Sequence, residues 1–517
     1  MSQEIGEAGA LALPWTDSFL QYVQAGWRVC GGSPAGNNLV DCVEGGVSAE
    51  NLVRSGAVRE RLIPVAAVAL VSIAAAESIA GMDTRVPKPL VALLALAGGA
   101  VLLSVDSVQL FLAWLFVAPI FQESAANSHI GHALSLALYT APPIVLLVKH
   151  LAAQGERPRA EWFDFFPALY LLYVVISLAA TGATDLHTLG TVSTVRSLYQ
   201  DVAIGIVIYY VVAFWRGRGP SLVAIARVLL YVAGLQAVMA IIEAPTHWNL
   251  WHDTSWQRAG DYRSIATLGN PAVTGAVIGV GIVVALAVLC WRGPFELRRL
   301  AIAMLIVGFP ALYATKTRGP ILATLVAALL IVLFSARSRL VGVSAIGLVA
   351  LLLVVFWPRI QTSSVYQARV TQQQNIQARL VLQEVSIKLI EQKPLLGWGY
   401  DSFDRVKFDV SVPSPQLPLS QALQSTSHDT YLTILVEYGA AGFAIFVLPW
   451  IAILLRGLGR VRRPAADRWF LVAMLASVLL LAVNAATLDY RFFSFVPMLG
   501  WLSLALVRRR VAEPARI

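Results

Sequence analysis

The amino-acid sequence predicts an all-α polytopic membrane protein of about 12–14 transmembrane helices, with a large helical loop between the late helices. Three observations carry this. The 517-residue chain is 57% hydrophobic and only 13% charged, whereas soluble domains carry about 25% charged residues. The apolar residues fall into about 14 separate runs of roughly bilayer-spanning length. Most Lys and Arg residues sit in short clusters between those runs, as orientation signals do, so the net charge of +9 implies no nucleic-acid partner.

In chain order, residues 1–61 are polar, Gly-rich and mixed in charge. They read as a cytosolic N-terminal extension, because the first apolar run begins near Leu62, too late for a cleavable signal peptide. A transmembrane region, 62–357, follows, with runs at 62–81, 89–105, 107–121, 133–148, 163–181, 199–214, 222–243, 271–291, 299–314, 320–335 and 340–357. The non-membrane stretch 358–428 is next, and loops of this length are uncommon unless functional. Within it, 367–391 is Gln-rich and helical in pattern, ending at Lys393-Pro394 before the turn-forming "LLGWGYDSF". The C-terminal membrane region, 429–507, contains runs at 429–455, 468–486 and 493–507, and 508–517 is a cytosolic tail.

Orientation follows from charge. The segments "KHLAAQGERPR", "WRGRG", "WRGPFELRR", "ARSR", "RGLGRVRRPAADR" and "RRR" all fall on one side when the runs are counted from a cytosolic N-terminus. Both termini are therefore expected in the cytosol. The opposite side receives the motifs at 246–271 and 315–320, the loop 358–428 and "TLDYRFF" at 487–493.

On that outer side stand Arg263, Arg318 and Arg379. The positive-inside rule disfavours an arginine such as Arg318, set in the tight turn "TKTRGP" at the membrane edge. Such a residue is either a snorkelling contact to a lipid headgroup or a ligand for an anion, and a guanidinium suits phosphate through two parallel hydrogen bonds. His428 follows Thr426, which forms a capping-box pattern with Asp429 and places His428 in the first turn of a helix. There the helix dipole keeps the imidazole neutral, as a general base must be; the alternative is a histidine that merely caps the helix. Glu437 lies nine residues further on, facing away from His428 if the helix is regular, which favours a structural hydrogen-bonding role. Asp489 either pairs with Arg491 or orients His428 or the substrate. Trp248, Trp251 and Trp256, with His247 and His252, suit interface anchoring better than sugar stacking. Cys30, Cys42 and Cys290 form no metal-binding spacing, and no HExxH, Walker or GxSxG pattern occurs, so no metal or cofactor is expected.

Four stretches resemble the O-antigen ligase and O-antigen (exopolysaccharide) polymerase superfamily of integral-membrane glycosyltransferases. "RSIATLGNPAVTG" at 263–275 is similar to its Arg–x–x–Gly–Thr–x–x–Asn–Pro pattern, and "TKTRGPILA" at 315–323 to its Thr/Ser–Arg–Gly turn. "ARLVLQEVSIKLIEQKPLLGWGYDSF" at 378–403 is like its Arg-headed helix ending in Pro-Leu-x-Gly-x-Gly. "HDTYLTILVEYGAAGF" at 428–443 is like its His–x–x–x–Leu…Glu–x–Gly–x–x–Gly pattern. The departures are Ala266 where the family often has Gly, Ala272 where Asn is common, Lys316 where a small residue is usual, and more apolar runs than the family's typical dozen helices.

The resemblance implies a GT-C-like fold in the bacterial inner membrane with a periplasmic active site. It implies a glycan donor on undecaprenyl diphosphate and a sugar hydroxyl acceptor, on a repeat unit in polymerases or on lipid A–core in ligases. The repeat-unit polymerase is slightly favoured, with a chain-length regulator as a further partner. In the corresponding scheme His428 is the base, Arg318 and Arg263 hold the diphosphate, Arg379 contributes to that binding or anchors its helix, and Asp489 and Glu437 give support. The alternative from another class is a lipid or polysaccharide transporter, which would carry its ionisable groups nearer the bilayer midplane and often in repeated halves.

Overall fold

The computed structural model describes residues 99, 101–121, 136–153, 158–181, 198–216, 219–248, 250, 257–258, 261–335, 373–414, 418–424, 427–463, 465, 467–490 and 493–512. The N-terminal extension, the runs at 62–81 and 340–357, Cys30, Cys42, Trp251, Trp256, His252, Thr426 and Arg491 lie outside them.

The described α-helices of ten or more residues are α1 (Ser107–Phe121), α2 (Ala141–Ala152), α3 (Phe166–Thr181), α4 (Ile204–Ala213), α5 (Leu222–Thr246), α6 (Pro271–Cys290), α7 (Phe295–Ala314), α8 (Arg318–Phe334), α9 (Gln373–Gln392), α10 (Thr430–Val461), α11 (Arg468–Ala485) and α12 (Phe495–Ala512). Two-residue strands, Gln257–Arg258 and Asp261–Tyr262, form the one extended ladder among the described residues. The protein is an all-α polytopic membrane protein: among the described residues six helices are long and apolar enough to cross a membrane, and four shorter apolar helices accompany them.

Helix α6 is the hub, in contact with α5, α7, α8 and α11. Its sequence, "PAVTGAVIGVGIVVALAVLC", has small residues all round, so four neighbours can approach closely. Helix α12 packs on α4, α10 and α11. Helices α3 and α7 instead expose Leu172, Ile176, Ile306 and Phe309, the surface that hydrocarbon would cover.

The basic segments among the described residues gather at one end of this bundle. Arg508 is buried and pairs with Asp164 at 2.7 Å, while donating to the carbonyls of Arg159 and Ala213. Tyr209 donates to the same carboxylate at 2.6 Å. Arg510 pairs with Asp467, Arg456 with Glu161, and Arg468 lies over Trp291, whose indole donates to the Ile331 carbonyl. Arg508, read from the sequence as part of a tail, is thus a buried clamp, and α12 continues through Ala512 because Asp164 draws that turn inward.

At the other end, α9 forms a second small core. Val381, Leu382, Val385 and Leu389 pack with Phe403, Val406, Val410, Val412 and Leu423, and with Val436 of α10. The join is made by main chain. The amides of Trp398 and Gly399 donate to the carbonyls of Val436 and Glu437, and those of Ala440 and Ala441 donate to Pro394 and Leu395. This exchange requires α10 to open, and it does so at Gly439 (φ 63°, ψ −170°), in a backbone region that is essentially glycine-only. A Cβ on Gly439 would collide with the Leu395 carbonyl, and one on Gly397 with that of Glu437. Gly439→Ala is therefore expected to destabilise the protein by about 1–3 kcal/mol from backbone strain alone, read as a lowered thermal midpoint of detergent-solubilised protein.

Candidate functional site

Three loops meet at the end of the bundle opposite the basic segments. The first carries Arg263 between Tyr262 and α6. It is held by buried Glu243 of α5, whose carboxylate accepts from the amides of Ile265 (2.8 Å) and Ala266 (2.7 Å) and from the Tyr262 hydroxyl (2.6 Å). Buried Gln236, two turns earlier, accepts from the Thr267 amide and donates to its hydroxyl. The Ser264 amide donates to the Ala314 carbonyl, fastening the loop to the end of α7. Asn270 caps α6 by accepting from the amides of Ala272 and Val273. Ala266 has φ 49°, in the left-handed region, which explains physically why glycine suits this position.

Glu243 and Gln236 were missed in the sequence reading. The signal was available for Glu243, a carboxylate at the end of an apolar run, where such groups are costly unless paired. Glu243→Ala removes the acceptor of two buried amides and a hydroxyl, each loss worth about 1–3 kcal/mol. The expected outcome is a fall of several degrees in thermal midpoint, together with faster protease cleavage in the 246–271 segment.

The second loop carries Arg318. The sequence placed it in a turn; the structure makes it the first residue of α8, after Thr317 at the N-cap. The Thr317 hydroxyl gives no cap because it is engaged with Thr315 (2.8 Å) and the Pro271 carbonyl (3.3 Å). The guanidinium thus sits at the positive end of a helix whose side-chain cap is absent, a setting that favours an anion. Lys316 precedes it with φ 47°. Gly319 lies flush against the Thr487 side chain, so this helix start abuts the 487–490 segment.

The third loop carries His428. Here the structure corrects the predicted capping box. The N-cap is Asp429 itself, whose carboxylate accepts from the amides of Tyr431 (2.9 Å) and Leu432 (3.1 Å), and α10 starts at Thr430. His428 therefore precedes the helix rather than lying in its first turn, with φ 53°. The Asp429 carboxylate is taken by Tyr431 and Leu432, and the Asp429 amide donates to the Ser427 hydroxyl, so neither half of a Thr426-based box has its partner. The nine-residue helical count from His428 to Glu437 fails for the same reason. Glu437 is fully buried, and its carboxylate accepts from the Phe403 amide at 3.3 Å in the join to the α9 core.

Asp489 is 1% exposed, and its Oδ2 accepts from the hydroxyls of Ser427 and Thr433, each at 3.1 Å. Thr430 donates to the Leu488 carbonyl at 2.6 Å and accepts from the Tyr490 amide at 3.0 Å. The 487–490 segment is thereby tied to the His428 turn on one side and to the start of α8 on the other.

The charges interact across these loops. His428 is half-buried, and its imidazole is lowered to about 4, first by desolvation, then by Arg379, with Asp489 opposing and Arg263 adding to the depression. The Arg379 guanidinium, in the second turn of α9, is lowered by desolvation and by Arg318. All five side chains thus belong to one electrostatic neighbourhood: three guanidiniums, one carboxylate, and a histidine that is neutral at pH 7. The His247 ring, by contrast, stacks on Tyr262 at 4.2 Å, and Trp248 is exposed. Among the described residues no group of three or more His, Cys, Asp or Glu side chains is placed to hold a metal ion.

No curated protein matches the chain. Residues 302–447, a segment that contains Arg318, Arg379, the Gly439 break and His428, match the family model described as O-Antigen ligase. That match bears out, over this segment, the resemblance to the O-antigen ligase and polymerase superfamily.

Proposed function

We propose that the protein is an inverting, metal-independent glycosyltransferase of the GT-C class that moves a glycan from undecaprenyl diphosphate to a sugar hydroxyl. The observation that carries this reading is the setting of His428: a neutral imidazole within electrostatic reach of Arg263 and Arg379, with Arg318 acting on Arg379. The basic segments gathered at the far end of the bundle support a cytosolic position for that end and a periplasmic one for the site.

In this scheme the acceptor hydroxyl gives its proton to His428 as its oxygen attacks the anomeric carbon. The carbon–oxygen bond to the diphosphate breaks on the opposite face, and the electron pair leaves on the diphosphate. Arg318, Arg263 and Arg379 stabilise the charge it gains. The guanidiniums supply the positive charge that a metal would otherwise bring. Asp489 holds the Ser427 turn beneath the histidine and offsets part of the surrounding positive field.

A base with a pKa of about 4 is unprotonated but weak, and it strengthens when an anion arrives beside the arginines. This has a kinetic consequence. Only neutral imidazole takes a proton, so acid removes activity. For kcat/KM, which reports the free protein, the fall is expected near pH 4. For kcat, which reports the donor complex, the donor's negative charge moves the fall to higher pH. Rate profiles at low and saturating donor check this; a kcat/KM limb near the ordinary histidine value would contradict it.

The direct chemical test is the product. Purified protein given an undecaprenyl-diphosphate-linked oligosaccharide should form a glycosidic bond of opposite anomeric configuration to the donor, read by NMR. A retained configuration overturns the mechanism. Offering a second lipid-linked unit and lipid A–core in parallel identifies the acceptor, hence polymerase or ligase.

A further inference from the structure

Beside the His428 turn lies a cavity of about 160 Å³, on the flank where α3, α10 and α12 face the 400–401 turn. Its lining is aromatic with two carboxylates: Tyr400, Tyr490 and Trp501 supply rings, and Asp201 and Asp401 supply acids. Thr430 and Tyr490, which also line it, immediately follow Asp429 and Asp489 and are hydrogen-bonded to each other, so the cavity shares a wall with the charged site.

We propose that this cavity is the subsite for the acceptor sugar. Pyranose rings present C–H faces that lie on aromatic rings, and hydroxyls that donate to carboxylates in strong, charge-assisted bonds. A largely apolar lining with a few placed polar groups is the usual make-up of a small-molecule site. The volume suits about one ring rather than a chain. A polyprenyl tail fits less well, because hydrocarbon would strip water from the carboxylates without replacing their hydrogen bonds. Asp201 is already oriented by the Ser494 hydroxyl at 2.8 Å. Asp401 is held in the left-handed region, φ 54°, directly after Tyr400. An acceptor held here would present its hydroxyl to the anomeric carbon from the face opposite the diphosphate, as inversion requires. Naming the sugar as acceptor rests on the glycosyl-transfer reading above.

The test is binding of oligosaccharides, cut from the producing cell's own surface polysaccharide, to the full chain in lipid nanodiscs, followed by saturation-transfer NMR. The wild type should bind. Asp401→Asn, which tolerates the left-handed backbone, and Tyr400→Leu should each weaken binding at least tenfold. The Tyr400 amide bond to Ser177 is main-chain on the Tyr400 side and survives the change. Tyr400→Phe should restore binding to within threefold, since the ring is kept. Absence of wild-type binding, equal binding by Asp401→Asn and Tyr400→Leu, or displacement of the saccharide by undecaprenyl phosphate would each overturn the subsite, the last in favour of a lipid groove. Binding requires no turnover. Failure here with intact release of undecaprenyl diphosphate therefore removes the subsite alone, and binding without release removes the transfer reading instead.

Discussion

His428→Ala is expected to lower glycan transfer by about 10²–10⁴-fold, the usual contribution of a positioned base, while the protein still reaches the membrane in normal amount. The side chain is half-buried at a loop–helix junction, and no cap depends on it, because Asp429 caps α10. Loss of the ring therefore removes little structure. The backbone at φ 53° is the one feature that a substitution could disturb. His428→Asn meets that concern, because Asn accepts the left-handed region with less strain. It should be as inactive as the alanine variant, with an unchanged thermal midpoint. If His428 were only a polar residue before a helix, Asn would serve as well as His.

Arg318→Ala should cost about 10²–10³-fold in kcat, the loss typical when a group that stabilises developing charge is removed. The structure makes this substitution clean. Arg318 is the first residue of α8, exposed, and its amide lies among those a helix leaves unbonded in any case. Arg318→Lys keeps the charge and loses the fork, so an intermediate rate is expected, with weaker recovery than charge alone would give. An arginine that merely touched lipid headgroups would be replaced by Lys at little cost. Measuring product formation in membranes with matched protein amounts separates the two cases. Arg379→Ala should have a smaller effect, because that residue is exposed in the second turn of α9 rather than placed at a helix N-terminus.

What could be read from the sequence depended on whether the signal was local. The apolar runs and basic clusters are local, and they placed α5 to α8 and α11 within a few residues, while α10 and α12 extend past their runs to Val461 and Ala512. Helix ends were harder. Asp429, taken in the sequence as the box partner of Thr426, is itself the N-cap, and this moves His428 from a helical turn to the positive-φ residue before the helix. Arg318 shifted from turn to helix for a similar reason, since Gly319-Pro320 signals a turn and equally suits a helical first turn. The join between 394–399 and 436–441 is made by amides and carbonyls that every residue possesses, so composition does not reveal it. In hindsight the glycines at 397 and 439 mark the two sides of that join. The meeting of Arg263, Arg318, Arg379, His428 and Asp489 is long-range. No spacing rule reaches it; the sequence clues were the charge pattern, which put these residues on one side, and the order of the four family-like stretches. Glu243, which fixes the Arg263 loop, was legible by the same reasoning that singled out Glu437 and was overlooked.

The most direct measurement is release of undecaprenyl diphosphate from a lipid-linked oligosaccharide by purified wild type, His428→Ala and Arg318→Ala, each reconstituted at equal amount and with equal thermal midpoint. Release by the wild type and loss of at least a hundredfold in both variants is the result expected if the charged site transfers the glycan. Release by either variant at the wild-type rate, or none by the wild type in the presence of its acceptor, would contradict it.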